Sequence, residues 1–245
     1  MRIRDLSKSF EINGERLEVL RNLDLDIEPG EILAIVGASG SGKTTLLRVL
    51  AGLEEADSGS ISIDGDPVSG VGPGRAVIFQ EPRLLPWLTV LDNVAFGLEM
   101  QGRTKLAARR YAESYLRLVG LGDFSAAYPA QLSGGMAQRV GIARALAVQP
   151  GILLLDEPFG ALDAMTKITM QEELAGIWQR EGVTMVLVTH DLEEAIYLAD
   201  RVLVLSHQKG GAPRILENPL PRPRERAETG FVRLRERLMR EFGLH

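Results

Sequence analysis

Gly37, Gly42, Lys43 and Thr44 satisfy the spacing G-x-x-x-x-G-K-[ST] inside the stretch GASGSGKTT, residues 37–45. Glycines there let the backbone curl until consecutive N–H groups and a helix N-terminus face one anion, with Ala38, Ser39, Gly40, Ser41 and Thr45 completing the loop. Lys43 is placed to reach the β- and γ-phosphates of a nucleotide as a point charge, and the Thr44 hydroxyl suits Mg²⁺. Thr45 stands where a dinucleotide fingerprint needs its last glycine, which excludes that alternative. A second group is ILLLDEP, residues 152–158. A carboxylate delivered at the C-terminal end of a buried strand can meet a phosphate loop on a neighbouring strand, so Asp156 is the expected Mg²⁺ partner. Two adjacent carboxylates are costly to ionise without a cation nearby, which points Glu157 towards positioning or deprotonating an attacking water.

Elements must carry these residues. EILAIVG, AVIFQ, GILLLDEP and TMVLVTHD are short aliphatic runs without alternation, as in strands covered on both faces of a mostly parallel sheet. The start of the chain reads differently. Leu23, Leu25 and Ile27 alternate with acids, and Ile61 and Ile63 precede an Asp64-Gly65 turn, the pattern of half-buried strands. From Gln80 to Gly151 the period becomes helical, with Val90, Leu91, Val94, Ala95 and Leu98 on one face and Thr89 offering an N-cap. Residues 81–149 therefore read as a helical insertion into an α/β core that resumes at 151. The Arg-rich tail from Arg222 to Arg240 reads first as a solvated amphipathic helix, with a headgroup-binding or regulatory surface as the alternative.

Composition bounds the answer. With 245 residues, 45% of them hydrophobic and 25% charged, the chain can bury one substantial core or two closely associated subdomains. A net charge of -5 supplies no overall basic footprint, against a dedicated nucleic-acid binder. The absence of cysteine excludes disulfides and thiol-ligated metals, and fits a reducing cytosol. MRIRDLSKSF has no apolar core of a secretory signal, and no run reaches the roughly 18 apolar residues of a membrane span, so a chain soluble by itself is expected.

LSGGMAQRVGIARAL, residues 132–146, narrows the reading: Ser133, Gly134 and Gly135 open an apolar-periodic helix and make a second anion-binding N-terminus. Alone, SGG is a flexible cap. A short helix ahead of ILLLDEP, it resembles the signature loop of the ABC-type ATPases, and the resemblance runs from about residue 2 to about 205. It implies an α/β P-loop NTPase core, residues 1–80 and 150–206, with an N-terminal antiparallel β-subdomain, a helical signature subdomain at 81–149 and a C-terminal tail at 207–245. It further implies a homodimer packed head to tail, in which Ser133, Gly134 and Gly135 close in trans on the ATP held by the other copy's phosphate loop. Gln80 resembles the glutamine that touches Mg²⁺ or the attacking water and senses a membrane partner. His190 resembles the switch histidine at the γ-phosphate, Asp163 the aspartate linking the two sites, and Phe10 the aromatic that stacks on adenine. Met136 departs from the family, which usually has Gln there. A thioether cannot replace an amide's hydrogen bonds, so altered nucleotide affinity or dimer stability is expected.

Leu84, Leu85 and Trp87, directly after Gln80, are either core or a docking groove, and the resemblance favours docking of a short cytoplasmic helix of a permease. FQEPRLLPWLTVLDNVAFGL, together with the tail PLPRPR, is similar to ATPases of importers for nitrate, taurine and alkanesulfonates. About 55 residues follow His190, too few for the regulatory β-domain of maltose-type relatives. The implied assembly is two ATPase copies, two transmembrane permease subunits and a periplasmic or extracellular solute-binding protein, at the cytoplasmic face of the inner membrane and without nucleic acid. An exporter ATPase shares the catalytic motifs. A DNA-repair or ribosome-associated relative usually carries a long coiled-coil insertion or two cassettes, and a kinase on the same phosphate loop has no use for LSGGMAQRV.

Overall fold

The computed structural model describes residues 1–205 and 213–241; the expected core residue 206 and tail residues 207–212 and 242–245 lie outside them. The chain forms two compact units, one of Met1–Gly72 with the chain from Thr184 onward, the other Pro73–Val183. Their boundaries lie at 72/73 and 183/184.

The first unit begins with β1 (Arg2–Ile12), β2 (Glu15–Asp26), β3 (Ile32–Gly37), α1 (Lys43–Ala51), β4 (Ser58–Ile63) and β5 (Asp66–Pro67). The second contains β6 (Arg75–Ile78), α2 (Val90–Met100), α3 (Lys105–Leu118), α4 (Gly134–Ala147), β7 (Ile152–Asp156) and α5 (Ala164–Glu181). The first then resumes with β8 (Thr184–Val188), α6 (Leu192–Leu198), β9 (Arg201–Leu205), β10 (Arg214–Glu217) and α7 (Thr229–Glu241). Among the described residues no helix is long and apolar enough to cross a membrane.

In the first unit β2, β1, β4 and β5 form an antiparallel sheet in that order. Leu23, Leu25 and Ile27 are buried there as their alternation requires. Asp64 (φ 54°) and Gly65 (φ 92°) make the two-residue turn between β4 and β5. β3 lies between β8 and β9 and is parallel to both, while β10 returns antiparallel on β9. Every residue of β3 and β8 is buried, as unbroken aliphatic runs demand.

In the second unit β6 and β7 pair in parallel, from Arg75↔Ile152 to Ile78↔Leu155. The expected strand AVIFQ is corrected here: pairing stops at Ile78, Gln80 lies two residues beyond it, and only Ile78 of β6 is buried. Thr89 caps α2 by accepting from Asp92 N, as its position suggested.

The tail also differs from a solvated helix. Among the described residues of the tail only Thr229–Glu241 is helical, and it buries Phe231, Leu234 and Leu238. Arg224, ahead of the helix, is 6% exposed and donates through Nη1 to the carbonyls of Ile196, Tyr197 and Ala199. Arg222 bonds Leu198 O and Asp200. The end of α6 leaves carbonyls without helical partners, and a buried guanidinium satisfies several at once. Burial, reinforced by Arg222, pulls the Arg224 pKa down to about 10.

Candidate functional site

In the first unit, buried β3 ends at Gly37 and α1 begins at Lys43, so five residues must reverse the chain over a short span. A Cβ on Gly37 would collide with Ser41 Oγ and stand 3.0 Å from the Leu205 carbonyl oxygen. Gly42 has φ 94°, and a Cβ there would lie 2.8 Å from Val19 Cγ1. Both positions therefore exclude a side chain for steric reasons, and Gly42 for a conformational one too. Ser41 Oγ is buried without a hydrogen-bond partner among the described residues, wedged beneath this turn. No side chain caps α1, and no acid occupies its first turn. Lys43 is 8% exposed, with Nζ donating to Gly37 O at 2.8 Å and Ala38 O at 2.9 Å, so the ammonium lies across the loop. A concave backbone, an uncapped helix N-terminus and a fixed cation together suit a chain of phosphates.

Two further residues named from the resemblance lie in this unit. Phe10 is half-buried near the end of β1. His190 is exposed just past β8. The segment holding His190 is tightly bonded: Thr189 Oγ1 accepts from Asp191 N at 3.0 Å, and the Asp191 carboxylate caps α6 through Glu193 N and Glu194 N. A bonded residue on each side fixes the backbone that presents the imidazole.

In the second unit, Asp156 ends β7 and is 7% exposed. Glu157 follows at φ 46°, a left-handed conformation that a long side chain adopts only when its surroundings impose it. Gln80 Nε2 donates to Glu157 Oε2 at 3.3 Å. The register explains this meeting: continuing the β6–β7 pairing two residues beyond Ile78↔Leu155 sets position 80 opposite 157. An amide and a carboxylate 77 residues apart thus share one spot at the C-terminal edge of a parallel pair, where open α/β sheets bind ligands.

Ser133 caps α4, its Oγ accepting from Met136 N at 3.3 Å, and a Cβ on Gly135 would stand 3.3 Å from Leu162 Cδ2. Gly134 opens onto free space. Asp163, next to Leu162, caps α5 by accepting from Thr166 N at 3.1 Å and Thr166 Oγ1 at 2.6 Å, bonds that lower its pKa. The signature loop and the Asp163 segment are therefore in contact within this unit.

Three residues that hold the Gln80 segment escaped the motif reading. Gln138 Nε2 donates to Phe79 O at 3.0 Å, and Arg144 donates to Pro82 O at 2.8 Å and Arg83 O at 2.9 Å. Both lie on α4, so the helix that starts at the signature loop also clamps the backbone on either side of Gln80. Buried Asn93 on α2 does the same further on, accepting from Leu85 N and donating to Leu85 O, Leu88 O and Thr89 O. The loop it fixes presents Trp87 at 70% exposure, while Leu84 and Leu85 are half-buried. No motif marks them: Gln138 and Arg144 are six residues apart on one helix and Asn93 stands on another, and a polar side chain in a helix serves solvent as readily as a buried backbone contact.

The donors assigned to a metal are the Thr44 hydroxyl, the Asp156 carboxylate and the Gln80 amide oxygen. Each is by itself a hard oxygen donor of the kind Mg²⁺ takes.

Residues 20–160 match the family described as ABC transporter. The chain is 50% identical to the nitrate import ATP-binding protein NrtD of Synechocystis, over 90% of this chain and 83% of that one. It is 41% identical to the aliphatic sulfonates import ATP-binding protein SsuB of Bacillus cereus, over 98% of this chain and 94% of that one. Among solved structures it resembles the dimeric bacterial ABC transporter cassette MJ0796, with a TM-score of 0.82 and 32% identity over 90% of this chain and 99% of that one. That cassette is also known in a dimeric post-hydrolysis state bound to ADP and Pi.

Proposed function

Since this chain belongs to the ABC transporter family of ATP-binding proteins, we propose that it is the ATPase of an importer for a small anion: nitrate, taurine or an alkanesulfonate. Two copies bind two ATP, close, and drive two permease subunits between inward- and outward-facing states, and hydrolysis with product release reopens them. A solute-binding protein outside the membrane delivers the solute. The chain itself works at the cytoplasmic face of the inner membrane. Likeness to nitrate and sulfonate import proteins supports the direction and substrate class, and likeness to a dimeric cassette supports the pairing.

In this reading residues 1–80 and 150–206 act as the nucleotide-binding core and 81–149 as the helical signature subdomain. Gly37 to Thr45 cradle the phosphates, Lys43 neutralises them, and Phe10 stacks on the base. Thr44, Asp156 and Gln80 hold Mg²⁺, which when bound offsets charge on the phosphate oxygens. Glu157 orients the water and takes its proton, and His190 contacts the γ-phosphate. Ser133, Gly134 and Gly135 complete the other copy's site, with Asp163 beside them.

The observation that carries the proposal is the contact of Gln80 with Glu157. It joins a proton-accepting carboxylate to the segment that runs, clamped by Gln138, Arg144 and Asn93, to exposed Trp87. Chemistry at one end and a rigid apolar surface at the other are what coupling to a membrane partner requires.

The test is a native purification of the tagged chain from gently extracted membranes. A polytopic membrane protein should co-purify in equal amount, and Trp87→Ala should reduce that yield while ATPase activity persists. Recovery of only soluble proteins, DNA or ribosomes would overturn the transport reading and leave the ATPase standing.

A further inference from the structure

Lys8 stands two residues before Phe10 on β1, where the register against β2 shifts on both sides of Lys8. Such an irregularity re-aims a side chain. The Lys8 ammonium lies over the Phe10 ring, 5.0 Å from its centroid. The same ammonium pairs with Glu54 Oε1 at 2.7 Å, donates to Glu55 O at 2.7 Å and stands 3.7 Å from Asp57 Oδ1. Residues 54–57 belong to the segment that leaves α1 at its Gly52 cap and leads into β4. Asp57 is itself bound back to β1, accepting from Ser9 N at 2.9 Å and from Ser9 Oγ. Only 11% of the Lys8 side chain is exposed, and the Glu54 hydrogen bond raises its pKa, which keeps the cation charged at neutral pH.

We propose that Lys8 is a positioning residue for the nucleobase: it covers one face of Phe10, leaves the other for a stacked base, and ties the ring to the far end of the helix that begins at Lys43. This rests on the reading of Phe10 as the adenine platform. A phenyl ring on a strand near its end has rotamer freedom that stacking must remove, and a cation anchored by three further groups removes it beforehand. Drawing π-density towards one face also lowers the negative potential of the opposite face, against which the base's own π-cloud must lie. Glu54 and Glu55 follow α1 closely, so the ring is held at a fixed reach from the phosphate loop at the helix's other end.

The experiment measures dissociation constants of ATP and of inorganic tripolyphosphate on the full chain, for the parent, Lys8→Met, Lys8→Arg, Phe10→Ala and the Lys8→Met/Phe10→Ala double variant. Lys8→Met should weaken ATP by about two- to five-fold, the worth of one cation–π contact, and leave tripolyphosphate unchanged. Unchanged tripolyphosphate binding also reports an intact phosphate loop. Lys8→Arg should restore ATP binding towards the parent, and the double variant should be no weaker than Phe10→Ala alone. If Phe10→Ala weakens ATP but Lys8→Met does not, or if Lys8→Met weakens both ligands alike, the role of Lys8 is overturned. If Phe10→Ala binds both ligands as the parent does, the adenine platform itself falls, and the inference with it.

Discussion

Glu157 unites a strained backbone, a place at the end of a buried strand and a partner in Gln80. Strain of this kind costs on the order of 1–3 kcal/mol and persists where function needs the side chain in one place. A general base contributes about 10²–10⁴-fold to a proton transfer, so Glu157→Gln should lose turnover on that scale while still binding ATP. Steady-state phosphate release beside equilibrium nucleotide binding checks this, and turnover above a tenth of the parent's would remove Glu157 from the base role. The glycines of the phosphate loop and the paired carboxylates were legible in the sequence because their constraints are local: spacing alone encodes the turn and the strand end. The meeting of Gln80 with Glu157 was not, since it arises from parallel register between strands far apart in the chain. Only family resemblance pointed to Gln80. Phe10 was named by that same resemblance, whereas Lys8, two residues before it, carried no motif.

Among the elements, α4 has two tasks that its sequence discloses unequally. Its N-terminus, capped by Ser133, was readable from SGG followed by an apolar period. Its grip on residues 79–83 was not, because Gln138 and Arg144 bond to backbone carbonyls, which have no sequence signature. The tail misled for the same reason: Arg222 and Arg224 look solvated, yet both turn inward to the open end of α6. Charged residues read as surface until a set of unpaired carbonyls is known to lie within reach. The clamp makes a prediction at this scale. Arg144→Met removes two charge-assisted hydrogen bonds and should cost about 2 kcal/mol of stability. Amide exchange should accelerate in residues 79–85, and permease-stimulated turnover should fall more than basal turnover. Unaltered exchange in that segment would show that Arg144 does not hold it.

For the whole molecule the decisive question is whether the signature loop serves its own nucleotide or that of a second copy. Gly134 separates the two cases. A Cβ there meets nothing within 4 Å, and α4 has no acid in its first turn. Gly134→Asp is therefore compatible with the fold, and a carboxylate at a helix N-terminus adds about 0.3–1 kcal/mol of favourable dipole interaction. Towards a triphosphate the same carboxylate is repulsive, by about 4 kcal/mol for each unit charge 4 Å away at an effective dielectric of 20. The expected result is a chain as thermally stable as the parent, binding ATP as a single copy with unchanged affinity, yet without turnover. In the Glu157→Gln background, where an ATP-dependent dimer is expected, the added Gly134→Asp should abolish it, with light scattering as the measurement. A persistent dimer would refute the action of Gly134 in trans. Loss of ATP binding by the single, folded chain would place the signature loop at its own nucleotide instead. The first turn of α4 carries no acid of its own, so one introduced charge tests the proposed action in trans without disturbing the fold.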